Sequence, residues 1–244
     1  MPLLEVERVS KRFGGLRAIS DASFAIDEGE IVFLVGPNGA GKTTLFNLIT
    51  GFIHPDEGRI RFRGQDVTNI SPNRAARMGI GRTFQIVKPI GMLTVLENVM
   101  LGAFLHTASR ATAQKEAEDV MAYLQMEGAA HLTARDLPLA MLKRLEIARA
   151  LATRPKLILL DEVVSGLQTS EALALAGLLK KLPERGVAAV GGVEHVMRVV
   201  MSIADRVVVL DHGAQIAEGK PRDVMQLPEV VEAYLGAKYR ERHQ

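Results

Sequence analysis

The chain has 244 residues, 48% of them apolar and 24% charged, which suits one large domain, or one domain with a subdomain, around a sizeable core. Thirty basic against 28 acidic residues leave a net charge of +2, so charge makes no case for nucleic acid or acidic lipid as a partner. The absence of cysteine excludes disulfides and thiolate metal sites and fits a reducing compartment.

In chain order, the opening MPLLEVERVS carries acidic residues where a signal peptide needs a basic lead and a long apolar core. No apolar run approaches the ~18 residues of a spanning helix, so the expectation is a soluble chain, attached to a membrane at most through a partner. Residues 3–9 and 18–26 read as strands, broken by the turn-rich Lys11-Arg12-Phe13-Gly14-Gly15. Asp27-Glu28-Gly29-Glu30 is a turn into the apolar strand 31–35.

Directly behind that strand stands Gly36-Pro37-Asn38-Gly39-Ala40-Gly41-Lys42-Thr43, followed by a helical segment over 44–50. Strand, G-x-x-x-x-G-K-[ST] and helix together form a phosphate-binding loop; the alternative is a plain glycine-rich turn. The glycines let successive N–H groups point inward at phosphate oxygens, and the helix adds its positive end. Lys42 is expected to reach the β- and γ-phosphates and the Thr43 hydroxyl to ligate Mg²⁺, with Thr44 completing the loop.

Another turn, His54-Pro55-Asp56-Glu57-Gly58, precedes a half-buried strand over 59–63, and Ser71-Pro72 reads as a helix start. From about 92 to 154, alanine, leucine, methionine and charged residues at helical spacing predict a helical subdomain inserted into an α/β core. The core resumes with a strand at 157–160, a helix at 170–182, a strand at 187–193, a helix at 196–203 and a strand at 207–210. That alternation predicts a mostly parallel sheet covered on both faces. The expected division is a single unit over 1–244, with 1–87 and 155–244 as core and 88–154 as helical subdomain.

Leu157-Ile158-Leu159-Leu160 ends in Asp161-Glu162, two carboxylates at the carboxyl end of a buried strand, where ligands bind in open α/β sheets. Asp161 is expected to hold Mg²⁺, usually through water, and Glu162 to polarise the water that attacks the γ-phosphate. An Asp-Glu pair by itself is commonplace and solvated; the loop gives this one its meaning.

With loop and acidic pair in place, nearly the whole chain resembles the ATP-binding subunits of ABC transporters. The resemblance implies ATP and Mg²⁺ as ligands and, by position, three further site residues. Gln85 in Arg82-Thr83-Phe84-Gln85 would sense the γ-phosphate and Mg²⁺, His195 in Val193-Glu194-His195 would contact the γ-phosphate, and Phe13 would stack on adenine. A phenylalanine beside two glycines equally well packs a sheet edge.

Gly79-Ile80-Gly81-Arg82-Thr83-Phe84-Gln85, the run 92–99, the run 145–151 and the ending 228–236 look most like the branched-chain amino-acid importer ATPase of LivG type. The lipopolysaccharide-export ATPase is the alternative within the family. A non-transport ATPase of this fold usually carries a long coiled-coil insertion or a second tandem domain, neither of which is expected to fit into 244 residues, and a GTP switch wants Asn-Lys-x-Asp, which this sequence lacks.

The family works as head-to-tail pairs, each nucleotide lying between one chain's loop and the partner's Leu-Ser-Gly-Gly-Gln signature. Here Leu137-Pro138-Leu139-Ala140-Met141 takes the signature position, so Pro138 offers neither hydroxyl nor N–H. Gln168, Val163 and Val196 stand where aspartate, proline and aspartate are usual. The resemblance thus implies a second ABC ATPase subunit, identical or homologous, with permease subunits and, indirectly, an external binding protein. It places the chain on the cytoplasmic face of the cell membrane. A better signature on a homologous partner would make the pair asymmetric, and this chain alone would then bind ATP-Mg²⁺ yet hydrolyse it slowly.

Overall fold

The computed structural model describes residues 1–84, 89–191 and 196–235. Two long strands lead, β1 (Leu4–Phe13) and β2 (Leu16–Ile26), then β3 (Ile31–Val35), helix α1 (Lys42–Ile49), β4 (Glu57–Phe62) and β5 (Gln65–Asp66). Helix α2 (Pro72–Met78) and β6 (Ile80–Arg82) lead into the helical stretch of α3 (Val95–Ala103), α4 (Arg110–Tyr123) and α5 (Leu139–Leu151). The chain returns through β7 (Leu157–Leu160), α6 (Thr169–Leu179), β8 (Ala188–Gly191) and α7 (Met197–Ile203). It finishes with β9 (Arg206–Asp211), β10 (Ala214–Gly219), α8 (Pro221–Val224) and α9 (Pro228–Leu235).

The ten described strands form one sheet in the order β5-β4-β1-β2-β10-β9-β3-β8-β7-β6. Strand β3 runs parallel to both neighbours, β8 and β9, and β7 runs parallel to β6 and β8. At the other end β1 pairs antiparallel with β2 and β4. Every residue of β3 and β7 is buried, and alternate side chains serve different cores. Ile31, Phe33, Val35, Ile158 and Leu160 pack with α3 to α7, whereas Val32, Leu34, Leu157 and Leu159 pack with α1 and the antiparallel strands. A strand covered on both faces needs apolar residues at every position, which is why these two were readable as unbroken runs. Among the described residues no helix is long and apolar enough to cross a membrane.

The first hairpin is tighter than the composition of 11–15 predicts. Phe13 pairs directly with Leu16, so only the two glycines turn. The Asp56 carboxylate holds Lys11 and Arg12 extended, accepting from Lys11 Nζ and from Arg12 N at 2.7 Å each. These two bonds keep its carboxyl below the usual range. Strand β10 was not foreseen. Its sequence AQIAEG has no strand-like alternation, and it is held by neighbours instead: antiparallel pairing with β9, Gln215 Oε1 accepting from Ser23 N, and an Arg206–Glu218 ion pair.

Candidate active site

The site begins where β3 runs out. At Gly36 φ is 144° and a Cβ would lie 2.0 Å from the Leu210 carbonyl oxygen at the end of β9. At Gly41 φ is 102° and a Cβ would lie 2.5 Å from the Ala18 carbonyl oxygen of β2. The loop is therefore wedged between two strands in a form only glycine adopts at these points. Gly41 caps α1 in the left-handed conformation with no side chain on the first-turn N–H groups, which leaves them for a ligand. Lys42, only 4% exposed, folds back so that Nζ donates to the carbonyl oxygens of Gly36 and Pro37 at 2.5 Å each. Burial pushes its pKa down, and the charges of Glu162 and Asp161 oppose that shift. The buried ammonium is thus satisfied by two backbone carbonyls of the loop itself.

In front of the loop lies a cleft of about 680 Å³. Phe13 and Arg17 from the hairpin form one wall, Lys42, Thr43 and Thr44 the floor, and Glu162 with Ser165 the opposite side. Phe13 is 48% exposed, with Lys11 Nζ 5.7 Å from its ring centre, so the ring stands at a cleft mouth and not in the core. Glu162 is the one carboxylate among the described residues lining this cleft. Its backbone is left-handed, φ 48°, a strained form for a non-glycine residue.

Asp161 is 2% exposed at the end of β7. Its N–H donates to Thr83 Oγ1 at 2.9 Å, and its carboxylate pairs with Arg82 Nη2 at 3.2 Å. Burial pushes the Asp161 carboxyl up and the Arg82 guanidinium down in pKa, and the pair offsets both shifts. Arg82 also donates to Asn47 Oδ1 at 2.5 Å, with the rings of Phe46, Phe52 and Phe84 at 5.8, 5.8 and 5.2 Å. Its Nε is buried without a hydrogen-bond partner among the described residues. Sequence reasoning passed over Arg82 and assigned only the glutamine three positions later. The available signal was an arginine ending a short buried strand beside the acidic pair's own strand.

These residues fit a nucleotide with a hard cation. The uncapped first turn of α1 offers N–H donors to phosphate, and the Thr43 hydroxyl with the Asp161 carboxylate makes an oxygen donor set of the kind Mg²⁺ takes. Thr43 faces two ways: it lines the cleft and also, with Asp161, a second groove of about 740 Å³ behind it. That groove runs between α2, β6, α3 and α5, with Phe52, Phe84 and Leu101 each more than 40% exposed along it. Glu146 of α5 crosses it, accepting from Phe84 N at 3.3 Å and pairing with Arg149 at 3.3 Å; burial pushes its carboxyl up. Fully buried Asn98 pins the neighbouring segment, exchanging hydrogen bonds with Ile90 and donating to the carbonyls of Leu93 and Thr94.

Gly36 to Thr44, Asp161 and Glu162 thus converge, with Phe13 at the rim, whereas Gln85 and His195 lie outside the described residues. Pro138 is the N-cap of α5, and the helix begins at Leu139 with no side-chain cap. Its first-turn N–H groups have no intrahelical acceptor, so backbone donors remain where the family signature is degenerate. Gln168 starts α6, its N–H donating to Glu171 Oε2 at 3.0 Å.

Comparison with known proteins adds an independent line. The family model described as ABC transporter matches residues 19–165. The high-affinity branched-chain amino acid transport ATP-binding protein LivG of Escherichia coli (strain K12) is 39% identical, with 96% of this chain and 98% of that protein covered. Among solved structures, the ADP conformation of an ATP-binding cassette of an ABC transporter superposes with TM-score 0.88 at 32% identity, covering 97% of this chain and 99% of that one. A dimeric bacterial ABC transporter cassette gives TM-score 0.81 at 29% identity, covering 90% and 99%. By the family match and the near full-length similarity, the chain belongs to the ABC transporter family.

Proposed function

We propose that this chain is the ATP-hydrolysing subunit of an importer for branched-chain or other hydrophobic amino acids. The observation that carries the reading is the convergence of Lys42, Thr43 and Glu162 on one cleft with an exposed aromatic ring at its mouth. In the proposed mechanism the first-turn N–H groups of α1 and Lys42 hold the phosphates, and Phe13 stacks on adenine. Thr43 and Asp161, with Gln85, would hold Mg²⁺. When bound, Mg²⁺ neutralises phosphate charge. Glu162 takes the proton of the attacking water while His195 contacts the γ-phosphate. The amino-acid substrate is supported by the similarity to LivG, not by the described residues of this cleft.

A partner ATPase closes the cleft in this reading, its signature segment meeting the phosphates; the similarity to a dimeric cassette supports the pairing. Residues 88–154 act as the helical subdomain, and the 740 Å³ groove takes a helix of a membrane permease, with Phe52, Phe84 and Leu101 as its apolar contacts. This puts the chain on the cytoplasmic face of the membrane through that permease, with a binding protein acting on the far side.

The nucleotide choice is tested by thermal unfolding of the purified chain. ATP at about a hundred times its dissociation constant should stabilise by about 2.7 kcal/mol, with GTP at the same concentration giving markedly less. Equal protection by GTP would contradict an ATP-selective site.

A further inference from the structure

Helix α5 buries two charged residues, Lys143 and Glu146, each 6% exposed. The groove accounts for Glu146. Lys143 serves another contact: its Nζ donates to the backbone carbonyl oxygen of Glu162 at 2.7 Å. The same carbonyl closes the turn behind the acidic pair, accepting from Ser165 N at 3.3 Å. A second contact joins the same two segments. A Cβ on Gly166 (φ 81°) would lie 3.1 Å from the Leu139 side chain, at the first residue of α5. One helix therefore touches both ends of the turn over 162–166.

Two physical features show that the Lys143 contact is more than packing. A buried ammonium gives up its hydration, and a methionine would fill the same space without that cost. Its acceptor, moreover, is the peptide of the one residue here that combines a left-handed backbone with a carboxylate in the cleft. Anchoring that carbonyl fixes the peptide that follows Glu162, and with it the position of the strained Cα from which the carboxylate side chain extends. Burial raises the Asp161 and Glu146 carboxyls in pKa, and the nearby charge of Lys143 opposes both rises in small part.

We propose that Lys143 is a positioning residue for Glu162, holding its strained peptide so that the carboxylate faces the bound phosphate. Lys143 stands one helical turn beyond the α5 N-terminus, the segment offered to the partner's nucleotide. A shift of that turn reaches Glu162 through the Lys143 contact, so engagement at one site adjusts the base at the other. The inference rests on the reading of Glu162 as the catalytic base.

The test is steady-state ATP hydrolysis by the full chain assembled with its partner subunit, comparing wild type, Lys143→Met, Lys143→Arg and Glu162→Gln. Lys143→Met should lower kcat at least about tenfold, with KM and the ATP-induced thermal shift unchanged. Lys143→Arg, which keeps a long cationic donor, should recover most of that loss. Should the methionine variant fail to fold, Lys143→Gln, whose arm is too short for the contact, is read on the same split. A Lys143→Met enzyme as fast as wild type beside an inactive Glu162→Gln enzyme would overturn this inference alone. Parallel losses of kcat and nucleotide affinity, without rescue by arginine, would reduce Lys143 to a structural role and overturn it too. Full turnover by Glu162→Gln would remove the base itself, and the inference with it.

Discussion

Exchange of Glu162 for glutamine is expected to slow ATP turnover roughly 10²- to 10⁴-fold while leaving nucleotide affinity unchanged. Glutamine has the same shape and keeps hydrogen-bonding capacity, so the cleft wall survives, but it cannot accept the proton that the attacking water must lose. The size of the effect follows from Glu162 being the one carboxylate among the described residues of the cleft lining. Asp161 cannot substitute, because its carboxylate is 3.2 Å from Arg82 and nearly shut off from solvent. Phosphate release and nucleotide binding, measured on the same preparation, separate the two effects. Equal losses of turnover and of affinity would mean that Glu162 binds and does not catalyse.

The second large effect concerns folding. Asp161→Ala should destabilise the chain by about 3–5 kcal/mol, because it strands a buried arginine that cannot shed its charge. For a chain of this size that corresponds to a fall in Tm of roughly 6–20 °C, at ~2–4 °C per kcal/mol. Arg82→Met should cost less. The carboxyl left behind is already pushed up in pKa by burial and can take a proton, and methionine suits the pocket of Phe46, Phe52 and Phe84. The double variant should lose clearly less than the sum of the singles, since each single mainly exposes the cost of an unpaired charge. Denaturant unfolding of the four proteins checks this, and strict additivity would show that the pair is not coupled.

The same buried pair shows how far the sequence could be read. Strands β3 and β7 were legible because a strand packed on both faces must be apolar at every position, and the loop because its chemistry is local in sequence. The Arg82–Asp161 contact spans 79 positions and Lys143–Glu162 spans 19. Such contacts exist only once β6 and β7 lie side by side and α5 crosses their ends, so no spacing rule announces them. Strand β10 escaped for a different reason: Ile216 and Ala217 are only partly buried against the core, and polar contacts, Arg206–Glu218 and Gln215–Ser23, tie the strand down. Proline at position 138 was legible as a lost hydroxyl, with backbone donors left on Leu139 and Ala140; the fold adds that Pro138 is the N-cap of a helix without a side-chain cap.

The most direct test of the account measures transport itself. The chain, assembled with its permease and partner ATPase, is placed in proteoliposomes with ATP on its own side and labelled leucine with the binding protein on the other. The account predicts ATP-dependent accumulation of leucine, abolished by Glu162→Gln. ATP hydrolysis that moves no branched-chain or other hydrophobic amino acid would contradict the importer reading, and leucine accumulation that persists with Glu162→Gln would contradict the motor assigned to this cleft.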